Sequence, residues 1–295
     1  MSPTGSAQDY PLQYFVASAL AATINYPLWR ASAIGQSGYE VASHHIASGS
    51  GTLIRQLPKP MLHFVYAFQP PYKGMLATVG GMTWARAAIF YGSDFGRHYL
   101  QVNHPEVPNI VASFAPPLVV STIVQVINMP LVRSTIQLQD PSSTHKNIRE
   151  SLQTILKERG WRGLWHGTSA GILKAVPKYC VAVHVKNVME DSLPKVPENS
   201  ANYKRDRLLR SACKSVVAGV AGAALTNPLD VIRNEMFKTN LSLSETIKHL
   251  HNKHGGGYRW MCRGMSQNLI AVAVPVASNI FFTDLFIQHS ESNAS

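Results

Sequence analysis

The sequence has few charged residues and few cysteines. Charged side chains make up 15% of its 295 residues, against about 25% in an ordinary soluble domain. This low fraction argues against intrinsic disorder and favours a polytopic membrane protein. The cysteines Cys180, Cys213 and Cys262 are too widely spaced for a disulfide framework or a zinc site.

Motifs of catalysis and of targeting are also absent. We find no glycine-rich phosphate loop, no nucleophile elbow and no paired carboxylates, and the N-terminus MSPTGSAQDY has no basic region typical of a cleaved leader. We therefore expect no enzyme, no metal and no cofactor. The formal charge is +11, but the basic residues alternate with apolar stretches, which indicates lipid as a partner and not nucleic acid.

Long uncharged stretches predict membrane spans. Residues 10–29, 107–132, 215–229 and 264–283 carry no Asp, Glu, Lys or Arg, and three of these stretches reach the roughly 20 residues that a spanning helix needs. Residues 74–99 and 168–189 are weaker candidates because they contain charges, which within a span usually line a protein interior or a wet cavity. The sum is six transmembrane helices.

Two landmarks recur along the chain at the same period. Pro27, Pro130 and Pro228 each follow an asparagine closely and precede a leucine, at intervals of 103 and 98 residues. Gly74, Gly167 and Gly264 each follow a basic residue or histidine, at intervals of 93 and 97 residues. We predict three repeats, 1–103, 104–200 and 201–295. Each contains an odd-numbered helix kinked at its proline, a short surface helix and an even-numbered helix that begins after its glycine.

The distribution of basic residues predicts the orientation of the spans. The three loops that follow the prolines hold 13 Lys and Arg, whereas we assign four, Lys195, Lys204, Arg205 and Arg207, to the opposite side. The positive side stays on the side of insertion. With an even number of spans, both termini lie on the other side.

With these repeats and landmarks, the sequence resembles the mitochondrial carrier family. Pro228-Leu229-Asp230-Val231-Ile232-Arg233 matches the family's Pro-x-acidic-x-x-basic motif, and Gly160-Trp161-Arg162-Gly163-Leu164-Trp165-His166-Gly167 is similar to its second motif. The resemblance covers nearly the whole chain. It implies an all-α membrane protein with six transmembrane helices in three pseudo-symmetric repeats and short matrix surface helices. It also implies that the protein lies in the mitochondrial inner membrane, with both termini towards the intermembrane space.

The gate motifs of the family are degenerate in this chain. In the family, the acidic residue of each repeat pairs with the basic residue of the next. Trp29 and Ser32 occupy these two places in the first repeat, and Val132 and Thr135 occupy them in the second. Only Asp230 and Arg233 remain. The resemblance therefore predicts no inter-repeat ion pair here, and closure by packing of Trp29 and Val132.

The gate on the opposite side is also reduced. Asp94 and Asp284 stand 20 residues after their landmark glycines, and Arg97 stands three residues after Asp94. One pair between repeats, Asp284 with Arg97, is implied. The alternative is that these charges are simply solvated at the membrane interface.

The resemblance also implies substrate and lipid sites. Seven residues after the landmark glycines stand the substrate contact positions Gly81, Lys174 and Ala271. Lys174 suits a carboxylate or phosphate, although it could instead snorkel to the interface. The cardiolipin-binding candidates, which lie at helix N-termini or beside them, are Gly74, Gly167, Gly264, Lys73, Trp165 and Arg263. The alternative role of these glycines is a turn that needs a small residue.

Two functions follow from these observations. The missing ion pairs favour, narrowly, an accessory or scaffold subunit associated with a large inner-membrane complex of the respiratory-chain type. The alternative is an active carrier of a small anionic metabolite, since the family is one of transporters. A third class is an outer-membrane carrier-like protein that acts in membrane dynamics.

Overall fold

The computed structural model describes residues 11–41, 57–69, 72–174 and 203–294, together with a few isolated positions between 185 and 197. Within these residues the regular secondary structure is helical throughout, without strands. The all-α class predicted from the sequence is confirmed.

The helices follow the predicted order of odd helix, surface helix and even helix. The first unit contains α1 (Pro11–Ile24), α2 (Tyr26–Ser37), α3 (Lys59–Ala67) and α4 (Met75–Asn103). The second contains α5 (Asn109–Leu138), α6 (Ile148–Leu164) and α7, the helical residues 168–174. The third contains α8 (Tyr203–Thr239), α9 (Leu243–Lys253), a 3-10 turn (Arg259–Cys262) and α10 (Met265–Ala294).

The three landmark prolines lie at different kinds of position. The chain leaves the helical path at Asn25, and Pro27 then lies at the start of α2, where a missing N–H has no helical partner to lose. Pro130 and Pro228 lie inside the continuous helices α5 and α8. Each of these two prolines removes one backbone hydrogen bond without ending its helix.

The helices form a ring that closes between the first and last units. Helix α1 packs against both α4 and α10, α4 packs against α5, and α8 packs against α10. The C-terminal halves of α2, α5 and α8 also contact one another, and we call this the closed end. A buried apolar cluster there includes Ile34, Met129, Ile136 and Phe237.

Short amphipathic helices lie beside the closed end, as the sequence predicts. The Asn147 side chain caps α6 by accepting a hydrogen bond from the backbone N–H of Glu150 at 2.9 Å, and Ile155 is buried. Ser242 and Glu245 form a reciprocal capping box at the start of α9, and Leu250 is fully buried. These caps satisfy backbone N–H groups that a helix start leaves without partners.

Three helices in the described part of the chain are long and apolar enough to cross a membrane. They are Asn109–Leu138, Ala212–Thr239 and Arg259–Ile287, with mean hydropathies of 2.0, 1.4 and 1.9. They correspond to the third, fifth and sixth predicted spans. The first predicted span is divided at Asn25 and retains a shorter apolar helix, Phe15–Ile24. The second is the 29-residue α4, which carries charges, and the fourth lies mostly outside the described residues.

Candidate functional site

A cavity of about 310 Å³ lies inside the ring and is lined by residues of α2, α4, α5, α7, α8 and α10. Its volume is at the lower end of the roughly 300–1,000 Å³ of small-molecule sites. Gly81, Lys174 and Ala271 all line it. The structure therefore brings the three predicted contact positions together. Each lies two helical turns inside the helix that begins after its landmark glycine, which is α4, α7 or α10.

Charge in the described cavity wall is concentrated where α7 meets α8. The Lys174 ammonium donates to both carboxylate oxygens of Asp230, at 2.8 and 2.7 Å. The Arg233 guanidinium lies 3.0 Å from Asp230 Oδ1, one turn along the same helix. The Asp230 side chain is 5% exposed, against 24% for Lys174. Charge-assisted bonds of this length are the stronger kind.

The sequence interpretation did not predict that Lys174 pairs with Asp230. That interpretation placed Asp230 opposite Ser32 and placed Lys174 separately as a substrate contact. The available signal was that a nearly buried carboxylate needs a cation, and that Lys174 is the cation brought to the same level of the ring. Ser32 instead lies with its hydroxyl 3.4 Å from Asn268 Oδ1.

Amide side chains link the first and third units at the closed end. Gln36 donates to Asn227 Oδ1 at 3.0 Å, and Asn268 donates to the same oxygen at 3.1 Å. Asn227 in turn donates to the backbone carbonyls of Met261 and Arg263. All three amides are buried. Neutral hydrogen bonds therefore connect α2, α8 and α10 where the family motif would place an ion pair.

The first and second units are linked by a buried arginine. Arg30 on α2 is fully buried, and its Nε donates to Gln139 Oε1, beyond the end of α5, at 2.6 Å. Its NH1 group donates to the carbonyl of Ala67 at 2.7 Å. A charged donor on a neutral acceptor is worth more than two neutral partners, so this contact contributes to closure without an acidic residue.

A second buried arginine links the second and third units. Arg133 on α5 donates to Asn240 Oδ1 at 2.5 Å and to the carbonyl of Gly163. Its guanidinium carbon also lies 5.9 Å from the centre of the Phe237 ring, within cation–π range. Neither arginine was predicted as a gate residue, because both stand one place after the acidic position of the motif.

One strong ion pair lies at the closed end within the third unit. The Glu235 carboxylate is 1% exposed and lies 2.7 Å from Arg263 NH2. Arg263 Nε also donates to the carbonyl of Gln36 at 2.8 Å, which extends the contact to the first unit. Trp29 and Val132, the expected packing residues, line the cavity above this region.

Comparisons with known proteins agree with this architecture. The family model described as mitochondrial carrier protein matches residues 108–196. Maize mitochondrial carrier protein CoAc1 is 26% identical over 163 residues, which cover 52% of the chain and 46% of that protein. Human mitochondrial coenzyme A transporter SLC25A42 is 24% identical over 175 residues, covering 56% and 52%. Yeast mitochondrial ornithine transporter 1 is 24% identical over 169 residues, covering 55% of each chain.

The chain is therefore similar to the mitochondrial carrier family, through the family model over residues 108–196 and through relatives that match about half of its length. The similarity is low, and the chain spans about half the length of the curated relatives it matches. The names of these relatives describe carriers and transporters, in agreement with the prediction that the chain is not an enzyme.

The landmark glycines have a clear structural role. Gly74, Gly167 and Gly264 have φ angles of 78°, 89° and 68°, a left-handed conformation that L side chains rarely adopt. Each lies against the C-terminal end of a proline-containing helix from another unit: Gly74 against α5, Gly167 against α8 and Gly264 against α2. The alternative role given above, a turn that needs a small residue, therefore holds, and lipid binding at these places stays a prediction.

The three other lipid candidates lie in different surroundings. Arg263 is turned inward to Glu235 and Gln36. The Trp165 ring is 39% exposed, and its Nε1 donates to the carbonyl of Val126 at 2.9 Å. Lys73 is half-buried, and its backbone carbonyl accepts from Tyr26 at 2.7 Å. Trp165 is therefore the one of these three whose side chain is well placed at the surface.

The predicted gate on the other side of the ring is only partly visible. Arg97 is exposed on α4. The side chains of Asp94 and Asp284 lie outside the described residues, so their pairing with Arg97 stays a prediction.

Proposed function

We propose that this protein is an active mitochondrial solute carrier that moves a small anionic metabolite past Lys174. The cavity is the observation that carries the proposal, because it gathers Gly81, Lys174 and Ala271 around the described charges. A lysine ammonium offers three donors to a carboxylate or phosphate. The relatives named as transporters support the same conclusion.

The closed end also supports a working gate. The bonds of Arg30, Arg133 and the amide cluster connect all three pairs of units. Most are single hydrogen bonds to neutral groups, each worth about 0.5–3 kcal/mol. Contacts of this size can be broken and re-formed in a conformational cycle. The absence of an ion pair between two motif positions of different repeats is therefore compatible with transport.

Uptake into liposomes tests the proposal. We expect saturable uptake of at least one probe among phosphate, pyruvate, malate, glutamate, ADP and coenzyme A. Lys174→Ala should lower kcat/KM by about 10- to 100-fold, because a hydrogen bond to a charged group contributes about 1.5–3 kcal/mol. Lys248→Ala, on the exposed face of α9, is the control and should transport normally.

The competing function is an accessory or scaffold subunit of a respiratory-chain-type complex. It is favoured by the uncharged gate positions Ser32, Val132 and Thr135. Absence of uptake for every probe, together with comigration with a large complex in mild-detergent native gels, would support it over transport. Detection in the outer membrane by subfractionation would instead support the membrane-dynamics alternative.

The orientation and the repeat boundaries belong to the same proposal. We place the protein in the mitochondrial inner membrane as a multi-pass protein, with the closed end towards the matrix and both termini towards the intermembrane space. The surplus of Lys and Arg in the loops of the closed end supports this orientation. The repeats are 1–103, 104–200 and 201–295.

Anionic lipid, including cardiolipin, is the proposed partner at the surface of the closed end. A cleft of about 570 Å³ lies where the end of α2, the start of α3 and the start of α10 meet, and Lys59, His63, Arg263 and Gly264 line it. Burial, and to a lesser degree the charge of Lys59, lowers the pKa of His63. Its ring is therefore neutral at pH 7, and Lys59 is the exposed cation of this cleft.

Lipid binding predicts a loss on removal of this lysine. Cardiolipin should raise the unfolding temperature of the wild type in detergent, and Lys59→Ala should reduce that rise by about half, since one exposed cation near an anionic surface contributes about 1 kcal/mol. Lys157→Ala, exposed on α6, is the matched control. An equal rise in all three proteins would contradict lipid binding in the cleft.

A further inference from the structure

The arrangement of charges in the cavity bears on the kind of anion that the carrier takes. Among the described lining residues, the charged ones are Lys174, Arg233 and Asp230, two cations and one carboxylate. Arg233 stays beside Asp230 whatever neighbouring helices do, because both lie on α8 one turn apart. Lys174 comes from α7, so its bond to Asp230 joins two separate helices.

We propose that Asp230 occupies the anion position on Lys174 until a substrate displaces it, and that the substrate is a small carboxylate or phosphate with a hydrogen-bonding body. This inference rests on the proposed transport function and adds a substrate class to it. When the substrate anion binds Lys174, Asp230 keeps Arg233 as its partner. No charge is then left unpaired in a low-dielectric site, which would be costly.

An unpartnered amide in the same wall supports a ligand with a polar body. Asn234 lines the cavity one turn after Asp230 and is fully buried. Neither its side-chain oxygen nor its nitrogen has a hydrogen-bond partner among the described residues. Buried polar groups are nearly always satisfied. A hydroxyl, keto or amide group on the substrate would satisfy this donor and acceptor.

Size and charge argue against a nucleotide or a coenzyme A derivative. A cavity of about 310 Å³ is small among ligand sites, and several phosphates would need several cations, each ideally a bidentate arginine. The described wall offers Lys174 and Arg233, both already in contact with Asp230. The described part of the wall therefore favours an anion smaller than the cargo named for the coenzyme A transporter relatives.

Displacement of Asp230 also links substrate binding to the closed end. Lys174 and Asp230 bridge α7 and α8, and α8 continues to the buried contacts of Glu235 and Phe237. A substrate on Lys174 removes that bridge. Helix α8 then has one fewer contact that holds it in place.

The test is a variant that binds its substrate more tightly. In liposomes, Asp230→Asn should lower the KM for whichever of phosphate, pyruvate or malate the wild type takes up, by about five- to tenfold, because the competing carboxylate is gone. Asp230→Glu keeps the competitor and should stay within about twofold of the wild-type KM. A purely structural role for Asp230 would raise KM or lower kcat, and it would not improve apparent affinity.

Each outcome decides between the proposals. If Asp230→Asn folds poorly, the double variant Asp230→Asn/Arg233→Gln removes one cation with the carboxylate, keeps Lys174, and should show the same lower KM. An unchanged or higher KM in Asp230→Asn and in the double variant would overturn the displacement. Uptake restricted to ADP or coenzyme A would overturn the substrate class while leaving transport intact, whereas no uptake of any probe by the wild type would overturn the proposed function itself.

Discussion

Replacement of Gly264 by alanine should destabilise the protein by about 2–5 kcal/mol and lower its unfolding temperature by on the order of 10 °C. Two effects add. The φ of 68° costs an L residue about 1–2 kcal/mol. A Cβ at this position would also lie 2.6 Å from the backbone carbonyl carbon of Gly35 and in contact with the backbone nitrogen of Gln36. Backbone atoms cannot move aside as a side chain can, and overpacking costs about 1–3 kcal/mol.

A second glycine separates the two effects. Gly255 has a similar φ of 63°, but nothing lies within 4 Å of the Cβ that alanine would add. Gly255→Ala should therefore show only the conformational cost. Thermal unfolding in detergent, followed by tryptophan fluorescence, measures both variants. Equal losses of stability in the two variants would show that the close approach of Gly264 to the backbone of Gly35 and Gln36 adds nothing to the cost of the substitution.

The same reasoning explains why glycine recurs immediately before α4, α7 and α10. An added Cβ would lie 2.9 Å from Leu138 Cδ2 at Gly74 and 2.7 Å from Phe237 Cε1 at Gly167. Each glycine thus lies against the C-terminal end of the proline-containing helix of the next unit. The contact at Gly264 is the tightest of the three, because it meets backbone and not side-chain atoms.

The sequence was sufficient to predict the features that depend on local order along the chain. The period of the prolines and glycines predicted the succession of helices, because proline and glycine act on the backbone of their own residue. The family resemblance implied Gly81, Lys174 and Ala271 as contact positions, each seven residues after its landmark glycine, and all three line the cavity.

The contacts between units could not be predicted in the same way. The bonds of Arg30 to Gln139 and of Arg133 to Asn240 join residues more than one hundred positions apart, and side-chain types alone do not specify such pairs. The family motif directed attention to charged residues at fixed places, whereas this chain uses amides and buried arginines beside those places. The prediction of closure by packing alone was therefore incomplete.

Neutralising Glu235 should have the largest effect on stability among the side chains of the closed end. Its carboxylate is 1% exposed and lies 2.7 Å from Arg263, 3.7 Å from His249 and 3.9 Å from Lys253. Glu235→Gln keeps the shape of the side chain but leaves a nearly buried guanidinium without its anion. Removal of one partner of a buried pair costs about 3–5 kcal/mol. Thermal unfolding in detergent should show the loss at neutral pH.

A double-mutant cycle shows whether that loss belongs to the ion pair. Arg263→Gln should also be destabilising, since it leaves the Glu235 carboxylate without its nearest cation and removes the donor to the carbonyl of Gln36. The double variant should be more stable than the sum of the two losses predicts, by about 0.5–3 kcal/mol. Glu158→Gln, on the exposed face of α6, should change stability by less than about 0.5 kcal/mol. Strict additivity would mean that the two losses arise independently, and that the contact between Glu235 and Arg263 does not account for them.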